Sequence, residues 1–137
     1  KSILTMATLT PTLTLASTDI SSNESLSLSV TDSLTVGAPS QSLSTVIATN
    51  TGGDNIIVPA GTAITYLYVK HTGTTDGSTA TSQLVDIEDT ADVAFARLGP
   101  GEFAFFPANK AGGSTGVQLQ VAHASNVQCE YMYFTKA

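Results

Sequence analysis

The sequence predicts an all-β fold, an antiparallel β-sandwich or jelly-roll-like domain of about nine or ten short strands. Three observations carry this. Apolar residues recur at every second position in run after run, the period of a pleated strand. No stretch of ten or more residues shows the 3.6-residue period of a helix. Turn-forming clusters of Gly, Pro, Asn, Asp and Ser separate the runs at roughly even spacing. Composition agrees. Of 137 residues, 12% are charged and 42% are hydrophobic. Roughly a quarter are Ser or Thr, which favours strands and turns over helices.

The elements follow in order. In "TLTPTLTL", Leu9, Leu13 and Leu15 share one side and the threonines the other. Pro11 lies on the leucine side and cannot donate to a ladder, so the run reads as an edge strand or an extended arm. "ESLSLSVTDSLTV" places Leu26, Leu28, Val30, Leu34 and Val36 in one register against Ser and Thr. Asp32 interrupts that stripe and predicts a bulge or break. "GAPSQ" at 37–41 is a turn or linker. It divides Ser/Thr-rich strands or an assembly arm, 1–36, from a sandwich body, 42–137, within one structural domain. Met6 offers an alternative start to Lys1, so no mechanism is built on residues 1–5.

"SLSTVIAT" reads as a strand, with Gly52 and Gly53 in the loop after it. "IIVPAG" gives a short strand and a turn. "TAITYLYVK" is apolar or aromatic on both faces, Ile64, Tyr66 and Tyr68 against Ala63, Leu67 and Val69, and so belongs at the domain centre or an interface. The stretch 71–82 is an exposed polar loop. "QLVDIEDTADVAFARL" forms two strands about a turn at 88–91, and "GPGE" a tight turn. "FAFFP" splits Phe103 and Phe105 from Ala104 and Phe106. After the loop "ANKAGGST", "GVQLQVAH" sets Val117, Leu119 and Val121 against Gln118 and Gln120. The final run, "VQCEYMYFTK", puts Val127, Cys129, Tyr131 and Tyr133 together.

Function classes are narrowed by what the sequence carries. A net charge of −6 with five Lys plus Arg disfavours nucleic-acid binding, which needs several cations on one surface. A single cysteine, Cys129, excludes an intrachain disulfide framework and reads as a buried, inert thiol. No apolar run approaches the ~20 residues of a membrane helix, and no signal-peptide core is visible. Asp86, Glu88, Asp89 and Asp92 are the densest charge feature. Carboxylates are the oxygen ligands Ca²⁺ takes, which makes Asp86, Glu88 and Asp89 the metal candidates. Without EF-hand or Asp-Gly repeat spacing, the plainer reading is a solvated hairpin tip, and no cofactor is expected. His71 and His123 read as surface or rim residues. No Gly-x-Ser-x-Gly elbow or phosphate-binding glycine motif occurs, so a non-enzymatic role is expected. Tyr66, Tyr68, Phe106, Tyr131 and Tyr133, with Leu9, Leu13 and Leu15, are the expected interface residues.

The opening "MATLTPTLTLASTDISSNESLSLSVTDSLTV", the segment "LGPGEFAFFPANKAGG" and the terminal "CEYMYFTKA" together resemble small virion structural proteins of tailed bacteriophages, in particular those of marine cyanobacterial phages. The resemblance implies a virion subunit, assembled in the host cytoplasm, such as a capsid decoration protein. Its partners would be copies of itself, for example in a trimer, and other virion proteins, with neither nucleic acid nor membrane bound. It brings no catalytic or binding residues with it. Two other readings stand beside it. One is a glycan-binding sandwich module of a phage fibre or tail, which needs two aromatics exposed in a groove. The other is a different small viral coat protein. A single-stranded RNA phage coat would require a basic sheet face and C-terminal helices, which the scattered basic residues and the final strand argue against.

Overall fold

The computed structural model describes residues 6–37, 43–51, 55–61, 65–108 and 115–137. Gly52, Gly53, Ala63, Ile64 and most of the "GAPSQ" and "ANKAGGST" segments lie outside them. The described residues form 12 strands: β1 (Ala7–Leu9), β2 (Thr12–Ser17), β3 (Leu26–Thr31), β4 (Leu34–Val36), β5 (Ser44–Ala48), β6 (Ile56–Val58), β7 (Thr65–His71), β8 (Val85–Asp89), β9 (Ala94–Leu98), β10 (Phe103–Ala108), β11 (Val117–Val121) and β12 (Val127–Thr135). The excess over the expected nine or ten has a simple origin. The two N-terminal runs are each cut in two, the first beside Pro11 and the second beside Asp32.

Eight strands build the body. One sheet runs β10-β7-β12-β5 and the other β6-β11-β8-β9. Every pairing is antiparallel. The partners β8·β9, β7·β10, β6·β11 and β5·β12 nest one outside the other, as if a long antiparallel ribbon had been folded over itself. That is jelly-roll topology. β7, apolar or aromatic on both faces as the sequence shows, sits inside its sheet with β10 on one side and β12 on the other. Pro107 falls on edge strand β10, where a missing N–H costs no ladder bond.

Period-two alternation decides the core. Leu67, Val69, Val127 and Cys129 face inward from the first sheet, and Val85, Ile87, Leu119 and Val121 from the second, all fully buried. Full burial of such side chains contributes roughly 1.5–3 kcal/mol each. The turn at 99–102 is tight because Gly101 adopts φ 82° while the Glu102 N–H donates to the Gly99 carbonyl at 3.0 Å. Pro and Gly thus occupy the two central positions of a type II turn. Gly116 serves a different need. A Cβ there would fall on the Val58 carbonyl oxygen and lie 2.8 Å from the Ala60 nitrogen, so only glycine lets β11 enter beside β6.

Residues 6–37 divide in two. β1 pairs with β4 from Ala7↔Val36 to Leu9↔Leu34. This short ladder is tied to the body: the Gly37 N–H donates to the Thr135 carbonyl at 2.8 Å and the Ala137 N–H to the Thr35 carbonyl at 3.1 Å. Val36 is buried at 2% exposure. β2 and β3 form a separate two-stranded sheet, Thr12↔Thr31 through Ser17↔Leu26. β4 is anchored to β12, and the segment that stands apart is 12–31.

Candidate assembly surface

The two sheets turn chemically opposite faces away from the core. On β8 and β11 those positions hold Asp86, Glu88, Gln118 and Gln120. On β10, β7 and β12 they hold Phe103 and Phe105, Tyr66 and Tyr68, and Met132 and Phe134. Alternation explains both. Once Leu67, Val69 and Cys129 face inward, their neighbours must face outward, whatever their hydrophobicity. Phe103 is 62% exposed and Phe105 39%. Phe105 stacks on Tyr66 with ring centroids 6.4 Å apart and 14° between planes.

The β2–β3 ribbon brings a second apolar surface to the same place. Leu13 pairs with Val30 and Leu15 with Leu28, with Leu26 beyond. These five share one face and are 38–51% exposed. The other face is Thr and Ser with Ala16, and the Thr12 and Thr31 hydroxyls are hydrogen-bonded at 3.1 Å. The stripe continues one that is covered at the base. Leu9 and Leu34 are half-buried and Val36 is buried. Past Pro11 and Asp32, whose backbones are joined by an N–H to carbonyl bond of 3.2 Å, the stripe loses its cover. Between ribbon and sheet lies a groove of about 650 Å³, with Leu9, Leu13 and Val30 on one wall and Tyr68, Phe103, Phe105, Met132 and Phe134 on the other. Thr12, Asp32 and Tyr68 also line it. Burial, and then the charge of Glu130, raises the Tyr68 pKa above its ordinary value.

The expected interface residues thus separate. Leu13 and Leu15 are exposed on the ribbon, and Leu9 and Tyr68 line the groove. Tyr66 is on the outer face but buried under Phe105. Phe106, Tyr131 and Tyr133 turn toward the core and pack against it, half-buried, with Phe106 edge-on to Phe95 at 5.7 Å. Phe103, Phe105, Leu26, Leu28, Val30, Met132 and Phe134 belong to the surface although they were not among those expected. Alternation would have found Phe105 only with the inward parity of its strand fixed, because "FAFF" puts phenylalanine on both sides.

The acidic residues disperse. Asp86 takes a two-point ion pair from Arg97, at 2.6 and 3.1 Å. Glu88 accepts from the Gln118 amide at 2.7 Å, and Asp92 from the same amide at 2.9 Å. Asp89 accepts from the Ala91 and Val93 N–H groups and holds the β8–β9 turn, where Asp92 adopts φ 65°. Among the described residues no three potential ligand side chains converge as a metal would require. His71 corrects the expectation of a surface or rim residue, for it is wholly buried. Its Nε2 donates to the Gln83 carbonyl at 2.8 Å and its Nδ1 accepts the Gly73 N–H at 2.9 Å. His123 is exposed and borders a smaller polar cleft with Asp86 and Arg97. Cys129 is fully buried, which pushes its thiol up to about 12.

Comparison with protein-family models, with curated proteins and with solved structures returns no match.

Proposed function

We propose that this chain is a non-enzymatic structural subunit that assembles with copies of itself, in a virion, as a coat or decoration component. One observation carries the reading: an anchored ribbon holds five aliphatic side chains in solvent beside an aromatic sheet face. An isolated two-stranded ribbon is marginal in water, so the exposed stripe is a surface waiting for cover. The fold is compatible, since jelly rolls serve in viral capsids as well as lectins. The resemblance of the N-terminal, "GPGEFAFFP" and C-terminal segments to phage virion proteins points the same way. Assembly would proceed by shape-complementary burial, and the net negative charge suits a place away from packaged nucleic acid.

Light scattering on the full chain, and on a variant with residues 12–31 replaced by two glycines, tests this. The full chain should have a mass that is a multiple of 14.1 kDa. The variant should be smaller yet keep its strand circular-dichroism signal. A full chain that is monomeric at micromolar concentration overturns the reading. An antibody against the chain should label purified particles if the virion assignment is right.

A second reading has one observation in its favour. Phe103 and Phe105 lie side by side and exposed, as a sugar-stacking platform would require. The predominantly aliphatic opposite wall of the groove suits a protein segment better than a sugar, which needs polar groups to hold its hydroxyls. Binding of host polysaccharide at millimolar concentration, abolished by Phe103→Ala, would favour the glycan reading.

A further inference from the structure

The geometry points to a specific mode of self-association: the β2–β3 ribbon of one copy lays its leucine face on the aromatic outer sheet face of a neighbouring copy. This deepens the assembly reading and rests on it.

Three observations select a second copy as the occupant. First, the ribbon face borders an apolar surface that it does not fill. Its root pair, Leu13 and Val30, lines the groove opposite Phe103, Phe105 and Met132 of its own chain. The root pair and the next pair, Leu15 and Leu28, are all 44–51% exposed. Each chain therefore holds both an uncovered leucine ribbon and an uncovered aromatic face.

Second, the exposed apolar area is large. The exposed parts of Leu13, Leu15, Leu26, Leu28, Val30, Phe103 and Phe105 come to about 600 Å², at the top of what a monomer's largest apolar patch usually reaches. One contact takes the ribbon from one copy and the sheet from the next, so this apolar surface is roughly two fifths of the total area of a standard interface, before Tyr68, Met132 and Phe134 are counted. Third, the charges beside these faces are few and of both signs: Lys70 lies opposite Phe103 and Glu130 opposite Lys70 on the sheet, and Asp32 lines the groove. A nucleic acid or an acidic surface gains nothing there, and a matching apolar face gains most. The paired part of the ribbon is about 20 Å long at the antiparallel rise, enough to cross from one subunit onto the next. Repeated head to tail, such a contact closes into a ring or continues as a lattice, according to the rotation between copies.

The test uses single-cysteine insertions at exposed sites, with the native thiol protected by burial. Leu15→Cys and Phe103→Cys chains are co-expressed with different tags, purified through both tags, and oxidised. The expected result is a disulfide-linked pair carrying one tag of each kind, lost when either cysteine is omitted. A full chain that is oligomeric by light scattering but gives no such pair overturns the ribbon contact and leaves the assembly reading standing. A monomeric full chain overturns both. Separately, Leu15→Ser with Leu28→Ser should weaken self-association roughly 100-fold by loss of two buried leucines. An unchanged dissociation constant overturns the proposal.

Discussion

Replacing His71 with alanine removes a buried side chain that ties β7 to the polar loop after it. The imidazole bonds the Gln83 carbonyl through Nε2 and the Gly73 N–H through Nδ1. The His71 backbone also receives the Gly101 N–H and donates to the Glu102 carbonyl, so strand end, loop and turn meet at this residue. Truncation empties about 65 Å³, worth roughly 1.5 kcal/mol at the cavity coefficient measured in other cores. Two half-buried backbone groups lose their partner, at about 1 kcal/mol each. The expected loss is about 3.5 kcal/mol, or about 12 °C in Tm for a chain of this length. Differential scanning calorimetry at one fixed protein concentration measures it, because assembly itself shifts Tm. His71→Gln, whose amide can restore one of the two bonds, should lose about half as much. A fall of less than about 3 °C for His71→Ala would mean that the two bonds are not what holds the loop. Hydrogen exchange at Gly73 gives an independent reading, and its protection should drop in the alanine variant.

Three further outcomes are expected. Gly116→Ala drives a methyl group into the backbone of Val58, Pro59 and Ala60 and should cost about 3 kcal/mol or more; a Tm within a degree or so of the parent would refute the close approach. Cys129 should resist a thiol reagent at about pH 8 until the protein is unfolded. Its thiol is raised from the ordinary 9.0 to about 12, so the unfolded chain releases that proton first and stability should decline as pH rises through this window; rapid native labelling would contradict the burial. Asp76 accepts the Thr79 and then the Ser78 N–H groups, which lower its carboxyl pKa from 3.8 to about 2. Its turn is therefore stabilised above pH 3.8 and loses that support as pH falls through about 2, and an NMR titration of the Thr79 amide centred near the ordinary value would be the contrary result.

The fold was legible because nearly every strand alternates. "GVQLQV" and "VQCEYMY" need only the rule that odd and even positions part, and β11 and β12 occupy the expected places with the expected residues inward. Asp32 announced the break that separates β3 from β4, whereas Pro11 pointed only to an edge strand or arm and the break between β1 and β2 falls beside it. Which parity faces inward was harder where both faces are apolar. In "TYLYVK" and "FAFFPA" aliphatic and aromatic positions compete. The core accepted Leu67 and Val69 with the small Ala104 and Ala108, leaving Tyr68, Phe103 and Phe105 outside. His71 was misplaced for a similar reason. It is the last residue of β7 on the inward parity, and its neighbouring loop looked like solvent. Only the folded chain brings Gln83 and Gly73 to its two nitrogens. The tie between β4 and β12 had no local signal at all, being a contact between distant segments.

The nesting of partners also sets the order in which the molecule can be completed during translation. β8 and β9 are neighbours along the chain and can pair as soon as both have left the ribosome. Each outer pair must then wait for a strand made later. The longest wait falls on β5, whose ladder partner is β12. Because β12 lies between β5 and β7, the first sheet has an open gap in its middle until 127–135 emerge, with backbone donors and acceptors exposed on both sides of it. Neighbouring nascent chains on one messenger would meet in that state. The unpaired edges of that half-made sheet are the part of the folding chain most open to aggregation.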